Sequence, residues 1–303
     1  MKKIAIVFAL LLPLFSCSRG QVVSFGDGFE MERIFDVDEL ICSSVTVNGA
    51  SQGFAVCRKY GFFFHDKGQV LIIDLKRKKL VSTFVVPGLE NAHCNNAAFS
   101  DEKWTEDSVF PLLYVTECSG ISRCYVVDLN FTTGSIVQEI CYDGTDYNST
   151  FDWCVDLERG FIYTRGGNHE YWVDPPDHPV YGHMMMLKKF TLPRKADFTE
   201  AGTVRLSESD ALDSFALDDV YFGQGSVIHK GIMYTGEGSP RRCHCRIHVI
   251  DLDSHERIAI HDVSELGIEP EGFAFQNGKV LITFHTMGKP RNNLLFSFRP
   301  QIR

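Results

Sequence analysis

The chain has 303 residues, 44% of them hydrophobic and 12% aromatic, which is ample for a real core. It carries 39 acidic against 30 basic residues, a formal net charge of −9, and its lysines and arginines form no stripe interleaved with aromatics, so nucleic acid is excluded as a partner class. There is no Gly-x-Ser-x-Gly elbow, Walker loop, dinucleotide fingerprint or His-Glu-x-x-His, so no specific reaction can be read from motifs.

The chain opens on Met1-Lys-Lys3, and residues 4–15 are almost wholly apolar. That run is too short for a permanent bilayer helix and reads as an export signal. It ends in Leu14-Phe-Ser-Cys17, which resembles the lipobox of bacterial lipoproteins. The resemblance implies a signal peptide over residues 1–16, lipidation of Cys17 at the mature N-terminus, and a membrane as partner through the lipid anchor. Residues 17–28 then form a short polar tether. The absence of an acidic cluster after Cys17 points to the outer membrane with the protein facing the periplasm. Residues 29–303 are read as one domain.

Within that domain one two-strand unit recurs five times. Its most regular copy is Ile268-Glu-Pro-Glu-Gly-Phe-Ala-Phe275 followed by Gly278-Lys-Val-Leu-Ile-Thr-Phe-His285. Looser copies are Gln52-Gly-Phe-Ala-Val56 with Gly61-Phe-Phe-Phe-His65, residues 95–99 with 112–117, 152–155 with 160–165, and 224–228 with 231–237. A third apolar run follows each copy, as in Val70-Leu-Ile-Ile-Asp-Leu75, Tyr125-Val-Val-Asp-Leu129 and His248-Val-Ile-Asp-Leu252. Short strands repeating at this spacing are the signature of an all-β propeller.

The expected architecture is five four-stranded blades, with six as the alternative count. Labelled from the axis outward, the first four blades span residues 52–86, 95–142, 151–209 and 224–263. The fifth has strands at 271–276, 278–285 and 292–299 and lacks its outer strand. Met31-Glu-Arg-Ile-Phe-Asp-Val37 resembles the outer strand Glu256-Arg-Ile-Ala-Ile-His-Asp-Val263 and is expected to supply it, leaving no open sheet edge there. Lys76-Arg-Lys-Lys79 reads as a solvated hairpin turn, and the acid-rich residues 207–222 as a solvated loop.

Inner strands begin, and second strands end, on the same face of a propeller. That face therefore collects Gln52, Asn95, Asp152, Gln224 and Glu271 from the first set and His65, Glu117, Arg165, Glu237 and His285 from the second. Pore mouths suit ligands, although polar heads of inner strands are also how a water-filled channel is lined. Glu-Pro-Glu-Gly, with amides and acids from other blades, resembles the pore of gluconolactonase and regucalcin-like propellers. That resemblance implies a divalent cation such as calcium, held here by Glu271, Asn95 and Asp152. If the protein is an enzyme, the candidate catalytic carboxylates are Asp152, Glu237 and Glu271, and their separation would decide between inverting and retaining glycoside hydrolysis. The long loop of residues 166–182 carries Tyr171 and Trp172 and is suited to stacking on a sugar or gripping a peptide.

Nine cysteines remain after Cys17, an odd number. Cys118 and Cys124 bracket a strand junction and form the candidate disulfide. Cys243-His-Cys245 reads as a loop disulfide, as free thiols or as the start of a metal site. In strand pattern and lipobox the chain resembles the broad class of bacterial TolB-like and NHL/YWTD-type propeller lipoproteins. The resemblance implies an envelope binding or scaffolding module for a glycan, peptide or envelope protein, the alternative being a metal- or carboxylate-dependent lactonase or glycosidase acting in the channel.

Overall fold

The structure, a computed structural model, describes residues 21–41, 45–47, 49–118, 123–144, 152–166, 185–198, 202–217, 219–220, 223–240, 243–286 and 293–300. The chain enters as an antiparallel ribbon of β1 (Gln21–Ser24) and β2 (Glu30–Asp36). Blade one follows with β3 (Ser51–Cys57), β4 (Tyr60–His65), β5 (Gln69–Asp74) and β6 (Lys79–Val85). Blade two has β7 (Asn96–Phe99), β8 (Leu113–Glu117), β9 (Arg123–Leu129) and β10 (Gly134–Tyr142). Blade three starts with β11 (Asp152–Asp156), β12 (Phe161–Gly166) and β13 (Met185–Thr191). After β14 (Thr203–Leu206) and β15 (Asp213–Leu217), blade four is β16 (Gly223–His229), β17 (Ile232–Glu237), β18 (Arg246–Asp251) and β19 (Glu256–Asp262). Blade five has β20 (Glu269–Gln276), β21 (Lys279–His285) and β22 (Leu294–Phe298).

Five blades ring one axis. The expected closure is present: β2 pairs antiparallel with β22, with Glu32 opposite Ser297, so the fifth blade takes its outer strand from the start of the chain. Five apolar clusters fill the five gaps between neighbouring blades. This explains why the middle strands read as unbroken apolar runs rather than alternating ones. In β4, Phe62 and Phe64 face blade two while Phe63 faces blade five, and all three are fully buried. An outer strand covers one blade only, so β19 alternates exposed and part-buried residues.

Two parts of the topology depart from the sequence reading. Residues 203–206 do not close blade three; β14 leaves it and runs parallel to β10 as a fifth strand of blade two. Blade three is closed by β15, from the stretch read as an acidic solvated loop. Its acids hide a period of two, in which Phe215 and Leu217 pack into the gap between blades three and four. From Gln21, within the stretch read as a polar tether, the chain already lies in the sheet, and Phe25 and Phe29 join the core behind it.

The inner strands carry a shared irregularity. In β3, β16 and β20 a bulge sets two residues against one on the partner strand, and the pairs are Gln52-Gly53, Gln224-Gly225 and Glu271-Gly272. Here glycine is required by close approach. A Cβ on Gly272 would stand 2.4 Å from the backbone nitrogen of Phe54, and one on Gly225 2.4 Å from the carbonyl oxygen of Glu271. Gly272→Ala is expected to cost about 1–3 kcal/mol through a backbone shift, measured by urea unfolding. Gly26→Ala, at a site with no atom within 4 Å of the added Cβ, should stay within about 0.5 kcal/mol.

Candidate functional site

The bulges aim the residues before their glycines toward the axis, and the face expected to hold a site does gather the predicted residues. It does not arrange them as an open, water-lined cage. Gln52, Asn95, Asp152, Gln224 and Glu271 are each no more than 4% exposed. Asn96 crosses the centre, its Nδ2 donating to the Trp153 carbonyl at 3.1 Å and to Ser226 Oγ at 3.2 Å, and so ties blades two, three and four together.

The ring divides into separate polar units. Asp152, at the head of β11, accepts from Thr116 Oγ1, from its neighbour's amide (Trp153, 2.9 Å), from Asn95 Nδ2 (3.2 Å) and from Arg165 Nη2 (3.0 Å). Arg165, at the end of β12, also donates to Thr235 Oγ1 and to the Gln224 carbonyl, both in blade four. Burial pushes the Asp152 carboxyl up, and the guanidinium beside it opposes that rise. This buried ion pair engages Asp152 of the expected cage, and Asn95, a second member, donates to the same carboxylate. Asp152 is thereby withheld from a metal ion, and among the described residues no three His, Cys, Asp or Glu side chains are grouped to hold one.

Glu237 ends β17 and lies against His248 Nε2 (2.6 Å), Arg246 Nε (2.6 Å) and Arg246 Nη2 (3.0 Å). Burial raises its pKa, but hydrogen bonds from His248 and Arg246 more than offset this and leave it below the ordinary value. It is a fully buried carboxylate with its charge matched. His285 sits behind the ring: its Nδ1 lies 3.0 Å from Asn293 Oδ1, and Asn293 donates to Asp38 through both its amide groups at 2.9 Å, fastening the fifth blade to the segment after β2. His65 is buried opposite Ser51.

Glu117 accepts the His93 backbone N–H through both carboxylate oxygens, at 3.3 and 3.2 Å. The His93 ring is the residue that sequence reasoning missed. Its Nδ1 lies 2.7 Å from Asp66 Oδ1, with side-chain exposures of 40% for His93 and 26% for Asp66. Burial lowers the His93 pKa, and Asp66, with Glu117 and Asp152 within reach, raises it further than burial lowers it. Burial raises the Asp66 pKa, and His93 and the Ala50 amide bring it below the ordinary value. The next residue, Cys94, has a left-handed φ of 35°. The only sequence trace of this pair is a histidine before a loop turn, unrepeated in other blades.

Glu271 stands apart from these units. Its Oε2 and the Oε1 of Gln52, the homologous residue of the next blade, are buried without a hydrogen-bond partner. Burial, and then the carboxylates of Glu269 and Asp66, push its pKa well above 4.5. Its proton therefore supports folding fully below 4.5, and that support is lost as pH rises through the raised pKa. Glu271→Gln, which cannot ionise, is expected to gain stability relative to the native protein between pH 5 and pH 8.5, read from urea midpoints. A constant difference across that range would show that Glu271 titrates normally.

Cys118 and Cys124 are free thiols. The register explains it: Cys124 lies opposite Thr116, and Arg123 opposite Glu117, so Cys118 is offset diagonally from Cys124 rather than facing it. Cys243 and Cys245 are also free. Cys17, Tyr171 and Trp172 lie outside the described residues.

Neither a family model nor a curated protein sequence matches this chain. Among solved structures it is similar to the glutaminyl cyclase of Myxococcus xanthus, with a TM-score of 0.50 and 13% identity over 82% of this chain and 90% of that one. Looser likenesses are hydrazine synthase of Kuenenia stuttgartiensis (TM-score 0.41, 10% identity, 78% of this chain and 64% of that one) and Raptor of Chaetomium thermophilum (0.43, 9%, 85% and 29%). The first confirms the β-propeller fold, and at 13% identity the likeness extends to fold alone.

Proposed function

We propose that the chain is an exported lipoprotein of the TolB-like or NHL/YWTD-type class, anchored through Cys17 to the outer membrane and facing the periplasm. Its propeller acts as a binding module that takes a peptide or envelope protein on the face where the inner strands begin. The observation that carries this reading is the fate of two of the three candidate catalytic carboxylates. Asp152 is tied to Arg165, and Glu237 to Arg246 and His248, inside the fold. Among the described residues, this face offers outward the part-exposed Asp66 and His93. A photo-crosslinking residue at position 93 should give discrete adducts with envelope material in intact cells, and one at Asn277, on the turn at the opposite face, should not. Equal labelling from both positions sinks the reading. The anchor is tested separately: Cys17→Ala should move the protein out of the membrane fraction.

A second reading is favoured by the 2.7 Å contact between His93 and Asp66, which holds an imidazole where it could act as a general base. Turnover of chromogenic lactones, esters or glycosides, lost in His93→Asn at unchanged stability, would replace binding with catalysis.

A further inference from the structure

We infer that Glu271 and Gln52 form a recognition site for a protonated primary amine, such as a lysine side chain or chain terminus of the bound peptide. The inference rests on the binding reading above and names the group that is recognised.

The first observation is the pair of orphan oxygens. Glu271 Oε2 and Gln52 Oε1 are buried at homologous positions of adjacent blades, and neither has a hydrogen-bond partner. Their strands are in contact at that level, since a Cβ on Gly272 would stand 2.6 Å from the Gln52 carbonyl oxygen. An orphaned buried acceptor is destabilising, because the water it gave up is not replaced by a donor. Gln52 Oε1 lacks a donor, and Glu271 lacks one as soon as its proton leaves; an ammonium group brings three and accepts nothing.

The second observation is charge. Glu269 and Asp66 lie within electrostatic reach of Glu271, and Glu271 in turn acts on Cys118. Arg165, the cation of the ring, is already committed to Asp152, Thr235 and the Gln224 carbonyl. Asp66, one of the two carboxylates acting on Glu271, is a quarter exposed. A hard metal cation fits less well, because calcium takes six to eight oxygens and Arg165 holds Asp152 out of reach.

Binding would exchange a proton. Glu271 gives up its proton to solvent, and the ammonium, keeping all three of its own, replaces it as the neutralising charge. Affinity should therefore increase with pH while the amine remains protonated, with Glu269, Asp66 and Cys118 as the titratable neighbours.

The test is a thermal titration of the native protein with ethylammonium chloride at constant ionic strength. The Tm should rise by about 2–4 °C when the free amine reaches about five times its Kd, at a lower concentration at pH 8 than at pH 6. Glu271→Gln should remove the rise and Gln52→Met should weaken it several-fold, the second variant serving if the first does not fold. No rise in the native protein, an equal rise in either variant, or a rise with calcium chloride in place of the amine overturns the site. If cross-linking from position 93 persists when the amine has no effect, the ligand class fails and the binding reading stands.

Discussion

Arg165→Met is expected to destabilise the protein by about 3–5 kcal/mol, a large share of the stability of an ordinary domain. Methionine replaces much of the volume but none of the charge. It leaves Asp152, 3% exposed, with the Thr116, Asn95 and Trp153 donors and no cation. It also cuts the link from blade three to Thr235 and the Gln224 carbonyl in blade four. Without the guanidinium, the Asp152 pKa should rise beyond its already raised position. The folded variant would then lose stability as pH climbs through that value, so the deficit should be larger at pH 8 than at pH 5. Asp152→Asn combined with Arg165→Met should recover much of the loss, since no charge is then left buried alone. Urea unfolding at the two pH values measures both variants against the native protein. A single-variant loss below about 1 kcal/mol would mean that this pair does not hold the blades together.

Removing residues 21–36 should abolish cooperative folding. The deletion takes Phe25, Phe29, Met31 and Phe35 out of the gaps beside blade five, and all four are at most 7% exposed. At about 1.5–3 kcal/mol for each buried side chain the loss is about 6–12 kcal/mol, comparable with the whole stability of a domain. It also uncovers β22 along its hydrogen-bonding edge, a template for aggregation. The expected result is insoluble protein, or a chain without a cooperative thermal transition by circular dichroism. A soluble product with an unchanged melting curve would show that the ring closes without its N-terminal strand.

The repeats were legible because a blade is a local object. Each Gly-aromatic run and each Val-Ile-Asp-Leu run pairs with its neighbour in sequence, and burial on both faces imposes the same apolar demand on every copy. The closure by residues 31–37 was legible for a related reason: a missing outer strand leaves an edge that some other segment must cover, and that segment carries the pattern of an outer strand. The detour of β14 to blade two was not legible. An outer strand meets one neighbour, so its sequence is only weakly constrained, and the acids around Phe215 and Leu217 obscured a period of two. The mouth was legible as a list of positions, since the heads of inner strands must converge. Which side chains there would neutralise one another was decided by distances between blades. Arg165 reaches Asp152 in its own blade and Thr235 in the next, and His93 meets Asp66 across 27 residues of chain, whereas Glu271 finds no partner for Oε2. Strand pairing follows from patterns a few residues long, but charge compensation at the axis depends on groups brought together only when all five blades close.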